Sequence, residues 1–173
     1  MRIAERMPYG EPPRWTLDGL AFMATGAYDW PDEGSRIELR YDLEAIRWLQ
    51  ANAVGNAVVA EAPIGYYREG GLRVSSFTGL PTLIGMHQGE QRPWVQVTPR
   101  QRDADTLYMT SDPGRVAEVL RSLNISYLYY GQLERAAYPD ADGSAFVALE
   151  AQGLLRRVFE NERTVIWQNT QSP

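Results

Sequence analysis

The sequence predicts an α/β fold: a three-layer sandwich with a mostly parallel central sheet, helices on both faces and a C-terminal antiparallel hairpin at the sheet edge. Three observations predict it. Short β-branched apolar runs alternate with amphipathic helical patterns, Gly or Pro bounds most of these runs, and a tight turn separates the last two runs. The length of 173 residues suits one domain. We place that domain at 41–173, after an extended or irregular lead-in with a short helix over 1–40.

The lead-in is rich in proline at its start and gives few regular signals. Residues 1–15 read as an extended segment, and 17–23 fit a short helix that Thr16 would cap. Residues 26–40 show neither helical nor strand periodicity, so we expect irregular structure there.

The domain opens with a strong helix followed by a buried strand. Asp42 is a suitable N-cap, and Gly55 is a suitable terminator. One face of this helix carries the apolar residues Leu43, Ile46, Leu49 and Ala53. Residues 56–62 form a continuous apolar run before Pro63, which is typical of a parallel strand buried on both faces.

The remaining elements follow in alternation. We expect a loop over 63–71, a second short strand over 82–85 and a polar segment over 87–92. Asp112 and Pro113 then predict the start of a helix whose apolar stripe runs to Leu123. After it we expect a strand over 125–130, a helix over 144–152, and a hairpin made of 154–160 and 164–168.

Composition excludes several kinds of chemistry. The chain has no Cys, all of its 17 basic residues are Arg, and His87 is its one histidine. Disulfides, thiolate metal sites, lysine nucleophiles and the phosphate-binding loop that needs lysine are therefore excluded. A formal charge of −5 argues against a nucleic-acid partner.

The sequence gives no sign of membrane insertion. Residues 1–15 lack the apolar core of a signal peptide, and the longest apolar uncharged stretch, 48–60, is too short to span a bilayer. We therefore expect this chain to be soluble.

A candidate binding surface follows from the predicted topology. In open α/β sheets ligands lie beyond the carboxyl ends of the parallel strands, which here means the loops after Ala62, Gly85 and Gly131. An anion or sugar-phosphate site there would use arginines for phosphate and a carboxylate for a proton or hydroxyl. The candidate binding residues are Tyr66, Arg73, Thr78, His87, Glu90 and Arg92. No catalytic residue is assigned.

Each candidate also has a structural interpretation. The charged segment 87–92 is more typical of a solvated loop, and Tyr66 is more typical of a ring that packs beside the sheet. Arg73 would then be an ion-pair partner of Glu61 or Glu90. The run Asp103-Ala104-Asp105 comes closest to a metal-binding pattern but favours the polar start of a short helix leading to 107–108. We expect no metal site and no cofactor.

Two sequence blocks carry a family resemblance. They are the block from Arg73-Val74-Ser75 to Gly79-Leu80-Pro81-Thr82 and the block Tyr130-Gly131-Gln132-Leu133-Glu134-Arg135. Together with Leu17-Asp18-Gly19, the helix end at 45–49 and the strand at 57–62, this series resembles the soluble C-terminal part of the YYY-type polytopic membrane proteins of prokaryotes.

The resemblance implies a function that the composition alone does not indicate. Members resemble glycosyltransferases that use lipid-phosphate sugar donors, with a membrane-embedded catalytic half and an extracytoplasmic globular half. It implies that this chain is the soluble extracytoplasmic domain of a membrane protein. Its partners would be the transmembrane half and a sugar or lipid-phosphate ligand, and it would not be catalytic alone. The alternative is a free-standing α/β ligand-binding module or enzyme.

One segment departs from the family's pattern. Where relatives tend to carry Trp after the Gly of Leu-Pro-Thr-x-x-Gly, this chain has Met86, and Gly89 rather than His precedes Glu90. His87 is therefore displaced by two positions. If the His-Glu pair performs chemistry in relatives, that chemistry is altered or lost here.

Overall fold

The computed structural model describes residues 15–65, 69–85 and 91–172. A 3-10 turn, Ala21–Ala24, precedes the first strand. The strands are β1 (Ala27–Asp29), β2 (Arg36–Glu38), β3 (Val58–Ala60), β4 (Ile125–Tyr130), β5 (Leu155–Glu160) and β6 (Val165–Asn169). The helices are α1 (Leu39–Asn52), α2 (Arg73–Thr78), α3 (Trp94–Met109), α4 (Pro113–Ser122), α5 (Gln132–Ala137) and α6 (Ser144–Ala151).

The central sheet is mixed, which corrects the prediction of a mostly parallel one. Its strand order is β3-β4-β6-β5. The β3–β4 pair is parallel, whereas β4–β6 and β5–β6 are antiparallel. The predicted C-terminal antiparallel hairpin is confirmed, with β5 at one edge of the sheet.

Part of this difference lies at 82–85, where a second short strand was predicted. The segment makes only one parallel bridge, Val59 to Thr82, and does not form a strand. Val59 donates its backbone N–H to the carbonyl of Pro81 at 2.9 Å. Proline has no N–H to contribute to a ladder, so the pairing cannot extend in the N-terminal direction from this contact.

Alternate residues of β4 point into two hydrophobic clusters. Leu128 and Tyr130 join the cluster that includes α4 and α6, and Tyr127 and Tyr129 join the cluster that includes α1 and α2. This is the two-residue period of a strand buried on both faces. Helices therefore cover both faces of the sheet, as predicted.

The helix signals were mostly correct. Asp112 caps α4 by accepting hydrogen bonds from the backbone N–H groups of Gly114 at 2.8 Å and Arg115 at 3.4 Å. Helix α1, however, begins at Leu39 rather than after Asp42, and its N-cap is Glu38. Asp42 lies inside the first turn with a fully buried side chain, so it is not the cap that the sequence suggested.

The segment predicted to be irregular contains a hairpin. β1 and β2 pair antiparallel within 26–40, and the chain enters α1 directly after β2. The 3-10 turn stands where a capped helix over 17–23 was expected. The division of the chain at residue 40 stays a prediction.

Candidate functional site

The carboxyl ends of the parallel strands β3 and β4 meet a buried ionic cluster. It consists of Arg73 at the start of α2, Asp42 in the first turn of α1, and Glu134 in α5. A terminal nitrogen of Arg73, Nη2, lies 2.9 Å from Asp42 Oδ1 and 3.9 Å from Glu134 Oε2. The side chains are 7%, 0% and 3% exposed, so the ion pairs lie in the interior. We call these three residues with Tyr129 the ionic cluster.

Tyr129 completes the cluster from β4. Its hydroxyl donates a hydrogen bond to Asp42 Oδ1, and the Arg73 guanidinium carbon lies 5.9 Å from the centre of its ring. Burial, with the nearby Asp42 carboxylate, raises the pKa of Tyr129 well above its ordinary value. The phenol therefore stays protonated and acts as a hydrogen-bond donor at neutral pH.

Two further carboxylates fix the loops that leave the sheet. Glu61 accepts hydrogen bonds from the backbone N–H groups of Val74 and Ser75, each at 2.9 Å. Glu134 accepts from Ala62 N–H at 3.0 Å and from Gly131 N–H at 2.8 Å. These bonds connect the end of β3 to the starts of α2 and α5. They satisfy buried backbone groups that would otherwise lack partners.

Glu61 is buried, and no cation among the described residues lies beside it. Burial raises its pKa from the ordinary value of 4.5, although the hydrogen bonds from Ser75 and Val74 oppose the rise. Its two oxygens are occupied by the loop backbone. The carboxyl is therefore a structural acceptor, not an accessible acid or base.

Two polar atoms of the cluster make no hydrogen bond within the described part of the chain. They are Asp42 Oδ2 and Arg73 Nε. The remaining Arg73 contact is weak, since Nη1 lies 3.4 Å from the carbonyl of Gly70. The buried charges of the cluster are thus compensated chiefly by the Arg73–Asp42 contact and by the Tyr129 hydroxyl.

The predicted site residues do not all fall in the described ranges. Tyr66, His87 and Glu90 lie outside them. Arg73 is buried and pairs with Asp42, a partner that the sequence interpretation did not propose. Thr78 uses its hydroxyl locally, donating to the Val74 carbonyl at 2.7 Å and accepting from Leu80 N–H at 3.1 Å.

Arg92, unlike Arg73 and Thr78, is exposed to solvent. It lies just before α3, beyond the segment 82–85. Of the candidates that the structure describes, only Arg92 therefore presents a charged side chain to solvent.

Sequence reasoning missed a cavity of about 630 Å³ between the β1–β2 turn, α5 and the β5–β6 turn. Its lining includes Trp30, Arg36, Gln132, Arg135 and Arg163. The contributing segments lie far apart in the sequence, so no local pattern could have joined them. The one sequence feature that could have pointed to this cavity is Arg135, the last residue of the Tyr-Gly-x-Leu-Glu-Arg block.

A second cavity of about 430 Å³ adjoins the first. Both are lined by Arg135 and Pro139, and the second extends over Tyr130, Arg157 and Trp167. Arg135 lies over the Tyr130 ring, with 4.5 Å between the guanidinium carbon and the ring centre. It also donates a hydrogen bond to the Arg163 carbonyl at 2.5 Å.

Asp103 and Asp105 are engaged in contacts within the protein. Asp103 lies 3.8 Å from Arg100, and Asp105 accepts hydrogen bonds from Tyr138 and Gln101, each at 3.1 Å. Both residues lie within α3, a longer helix than the short one expected. Across the described ranges, no three His, Cys, Asp or Glu residues are grouped to hold a metal ion.

None of the helices within 15–65, 69–85 and 91–172 combines the length and hydrophobicity needed to cross a bilayer.

Comparison with solved structures gives a structural likeness. The chain is similar to the C-terminal globular domain of an oligosaccharyltransferase from Archaeoglobus fulgidus, at 10% identity and a TM-score of 0.49. The match covers 74% of this chain and 95% of that one. The chain matches no protein-family model and no curated protein. The resemblance to YYY-type membrane proteins therefore stays a prediction.

Proposed function

We propose that this chain is a non-catalytic, ligand-contacting domain of a membrane glycosyltransferase-like protein. In that protein it would lie on the extracytoplasmic side, beside a transmembrane half that carries the chemistry. Its ligand would be a sugar or a lipid phosphate, which loops 62–72 and 85–92 would contact.

One observation supports this proposal above the others. The two sequence blocks that carry the family resemblance meet in the ionic cluster, where Arg73 of the first block contacts Glu134 of the second. Gly131 of the second block and Tyr129, just before that block, both lie beside the Asp42 carboxylate. The residues that make the resemblance specific thus build a scaffold at the carboxyl ends of the parallel strands.

The state of the carboxylates favours a scaffold over an active site. Asp42, Glu61 and Glu134 are all buried, and each accepts hydrogen bonds or pairs with Arg73. A general base must reach the proton that it abstracts from a substrate. These groups instead hold backbone N–H groups in place, which leaves substrate contact to exposed side chains such as Arg92.

The experiment combines a turnover assay with a binding measurement on the same chain. The isotopically labelled protein is titrated with a short-chain lipid-phosphate sugar while sugar release and transfer to an acceptor are followed. We expect backbone chemical-shift changes over 62–72 and 85–92 without any product. Product formation would show that the domain is catalytic, and an unchanged spectrum would refute ligand contact by these loops.

A matched pair of arginine variants tests the position of the contact. Arg92→Ala removes the exposed charge beside α3, so we expect weaker binding of the lipid-phosphate sugar. Arg115→Ala removes an exposed charge from α4 and should leave binding unchanged. Equal effects of the two substitutions would indicate non-specific attraction to arginine and contradict the proposed loop site.

A free-standing ligand-binding module is a second candidate, and the paired cavities beside Arg135 favour it. The reading frame upstream of this chain separates the two candidates. Transmembrane segments encoded in the same frame support the membrane protein, and their absence there supports the free-standing module.

A further inference from the structure

The two cavities adjoin each other, because Arg135 and Pro139 line both of them. We call the two together the Arg135 cleft. One half lies against Trp30 and Gln132, and the other lies against Tyr130 and Trp167. Each half falls within the range of volumes typical of small-molecule sites, so the cleft has room for a ligand made of several linked units.

Among the described residues, the charges that line the cleft cancel. Four of these residues are arginines, Arg36, Arg135, Arg157 and Arg163, and four are carboxylates, Asp32, Asp142, Glu160 and Glu162. A surface with equal numbers of both signs gives little net attraction for a polyanion or a polycation. An acidic peptide, a polyphosphate or a nucleic acid would meet four carboxylates in this cleft.

Contacts within the protein hold several of these side chains in place. Arg157 binds Glu160 at 2.8 Å and Glu150 at 3.0 Å. The Tyr41 hydroxyl donates to Glu162 at 2.7 Å, and Ser144 N–H donates to Asp142 at 2.8 Å. Side chains fixed before binding lose less conformational entropy when a ligand arrives.

The same side chains keep hydrogen-bonding capacity for a ligand. Arg135 has five N–H donors, of which one is given to the Arg163 carbonyl. Each carboxylate accepts more than one hydrogen bond. A lining of planar donors beside planar acceptors suits hydroxyl groups, because every hydroxyl both donates and accepts.

Trp30 supplies an apolar surface beside this polar lining. It is half-buried and is followed by Pro31, which also lines the cleft. The flat face of an indole packs against C–H groups, which a sugar ring presents on its own faces. Aromatic surface next to paired donors and acceptors is the chemistry that recognises a carbohydrate.

We propose that the Arg135 cleft binds a neutral oligosaccharide, with Arg135 at the junction of the two halves. Trp30 packs against one sugar ring, and the charged side chains bind the hydroxyls. This site is separate from the loops of the proposed function, because it uses α5 and the turns of the two hairpins. The proposal of a neutral oligosaccharide site therefore does not depend on whether the chain belongs to a membrane protein.

Titration of the labelled protein with neutral oligosaccharides tests the proposal. The probes are mannopentaose and cellopentaose, and the comparisons are an oligogalacturonate and an acidic peptide. We expect at least one neutral probe to shift the backbone signals of 30–36, 132–136 and 162–163 and to change Trp fluorescence. The proposal is overturned if neither neutral probe binds, or if the oligogalacturonate or the peptide binds more tightly.

Variants locate the binding within the cleft. Arg135→Ala should weaken binding of the neutral probe by about tenfold or more, because it removes a charged donor shared by both halves. Arg121→Ala, an exposed arginine in the last turn of α4, is the control and should bind as the unchanged protein does. Equal affinities of the two variants would contradict the site.

A second substitution covers the case in which Arg135→Ala does not fold. Arg163 is more than half exposed and lines the first half only. Arg163→Ala should therefore weaken binding of the same neutral probe and leave the thermal transition unchanged. Full binding by this folded variant would overturn the assignment of the first half.

Discussion

The guanidinium of Arg73 lies 2.9 Å from the carboxylate of Asp42, with both side chains shielded from solvent. The two residues lie in the first turns of successive helices, α2 and α1, and are 31 positions apart. Their contact connects the loop after β3 to the helix that precedes β3. Because a buried charge without its partner is costly, this contact makes the position of α2 depend on Asp42.

Substitution of Arg73 should strongly destabilise the domain. Arg73→Met keeps the apolar stem but leaves the Asp42 and Glu134 carboxylates buried without a cation, so we expect a loss of about 3–5 kcal/mol in the free energy of unfolding. Denaturant titration measures it. Arg100→Met is the control, since the exposed Arg100–Asp103 contact at 3.8 Å should contribute less than about 1 kcal/mol.

The double variant Arg73→Met with Asp42→Asn separates lost charge compensation from lost packing. It leaves no charge at position 42, and we therefore expect it to recover part of the lost stability. Equal stability of the single and double variants would contradict the assigned role of the ion pair.

Gly131 should not tolerate a side chain. A Cβ at this position would lie 2.9 Å from Tyr129 Cε1, 3.1 Å from Glu134 Oε2 and 3.3 Å from Asp42 Oδ1. We expect Gly131→Ala to lower the free energy of unfolding by about 1–3 kcal/mol, because crowding displaces the ionic cluster.

The glycine control is Gly19→Ala. Nothing lies within 4 Å of a Cβ at Gly19, so its thermal transition should stay within experimental error or rise slightly. An unaffected Gly131→Ala protein would show that the cluster has more room than its geometry indicates.

The ionisation of Glu61 should make stability depend on pH. Burial raises its pKa above 4.5 in the folded state, so folding favours the protonated carboxyl. Its contribution is fully present below the unfolded pKa and is lost as pH rises through the folded pKa. Carbon-13 titration of the carboxyl gives the folded pKa directly, and a value below 4.5 would contradict this account.

Glu61→Gln provides the matched comparison in denaturation experiments. The difference in unfolding free energy between the original protein and the variant should shrink as pH rises through this window, by up to about 1.4 kcal/mol per pH unit. The amide places an NH₂ group near a backbone donor, which lowers stability by an amount independent of pH. A constant difference would show that Glu61 does not titrate there.

Leu120 tests the packing of α4 against the sheet. Its side chain is 3% exposed and belongs to the cluster around Leu128 and Phe146. Leu120→Ala should cost about 2–5 kcal/mol of unfolding free energy. Val54→Ala, at a side chain that is 84% exposed, should cost less than about 0.5 kcal/mol. A small effect at Leu120 would mean that the other face of α4 is buried.

Divalent metal should not bind to the run Asp103-Ala104-Asp105. Calorimetric titration with manganese or magnesium should give no heat above dilution, because Asp105 already accepts two hydrogen bonds within the protein. Micromolar binding that disappears in the Asp103→Asn, Asp105→Asn double variant would overturn this expectation and support catalysis within the domain.

The sequence predicts best where local chemistry determines structure. Asp112 followed by Pro113 identified the start of α4, and the apolar run over 125–130 identified β4, because capping groups and burial act on neighbouring residues. The strands β1 and β2 have three residues each, too few to show periodicity. Helix α3 contains Pro99, which normally indicates the end of a helix.

The candidate site was harder to predict than the elements. Arg73 was predicted as a binding residue, and its partner Asp42 was interpreted as a helix cap, because the sequence does not show that α1 begins at Leu39. Arg135 and Trp30 line one cavity although about a hundred positions separate them. Such contacts depend on the order of the strands in the sheet. The order β3-β4-β6-β5 is set by pairing between distant segments, which a local sequence pattern does not show.

The distances along the chain within the ionic cluster bear on how the protein folds. Asp42 bonds Tyr129 across 87 positions, and Glu134 bonds the Ala62 backbone across 72. Closing such loops costs entropy before the contacts form, so we expect this cluster to assemble after the folding transition state. Loss of Arg73 should then accelerate unfolding while leaving the refolding rate nearly unchanged, which stopped-flow kinetics would show. A slower refolding rate would instead place the cluster in the folding nucleus.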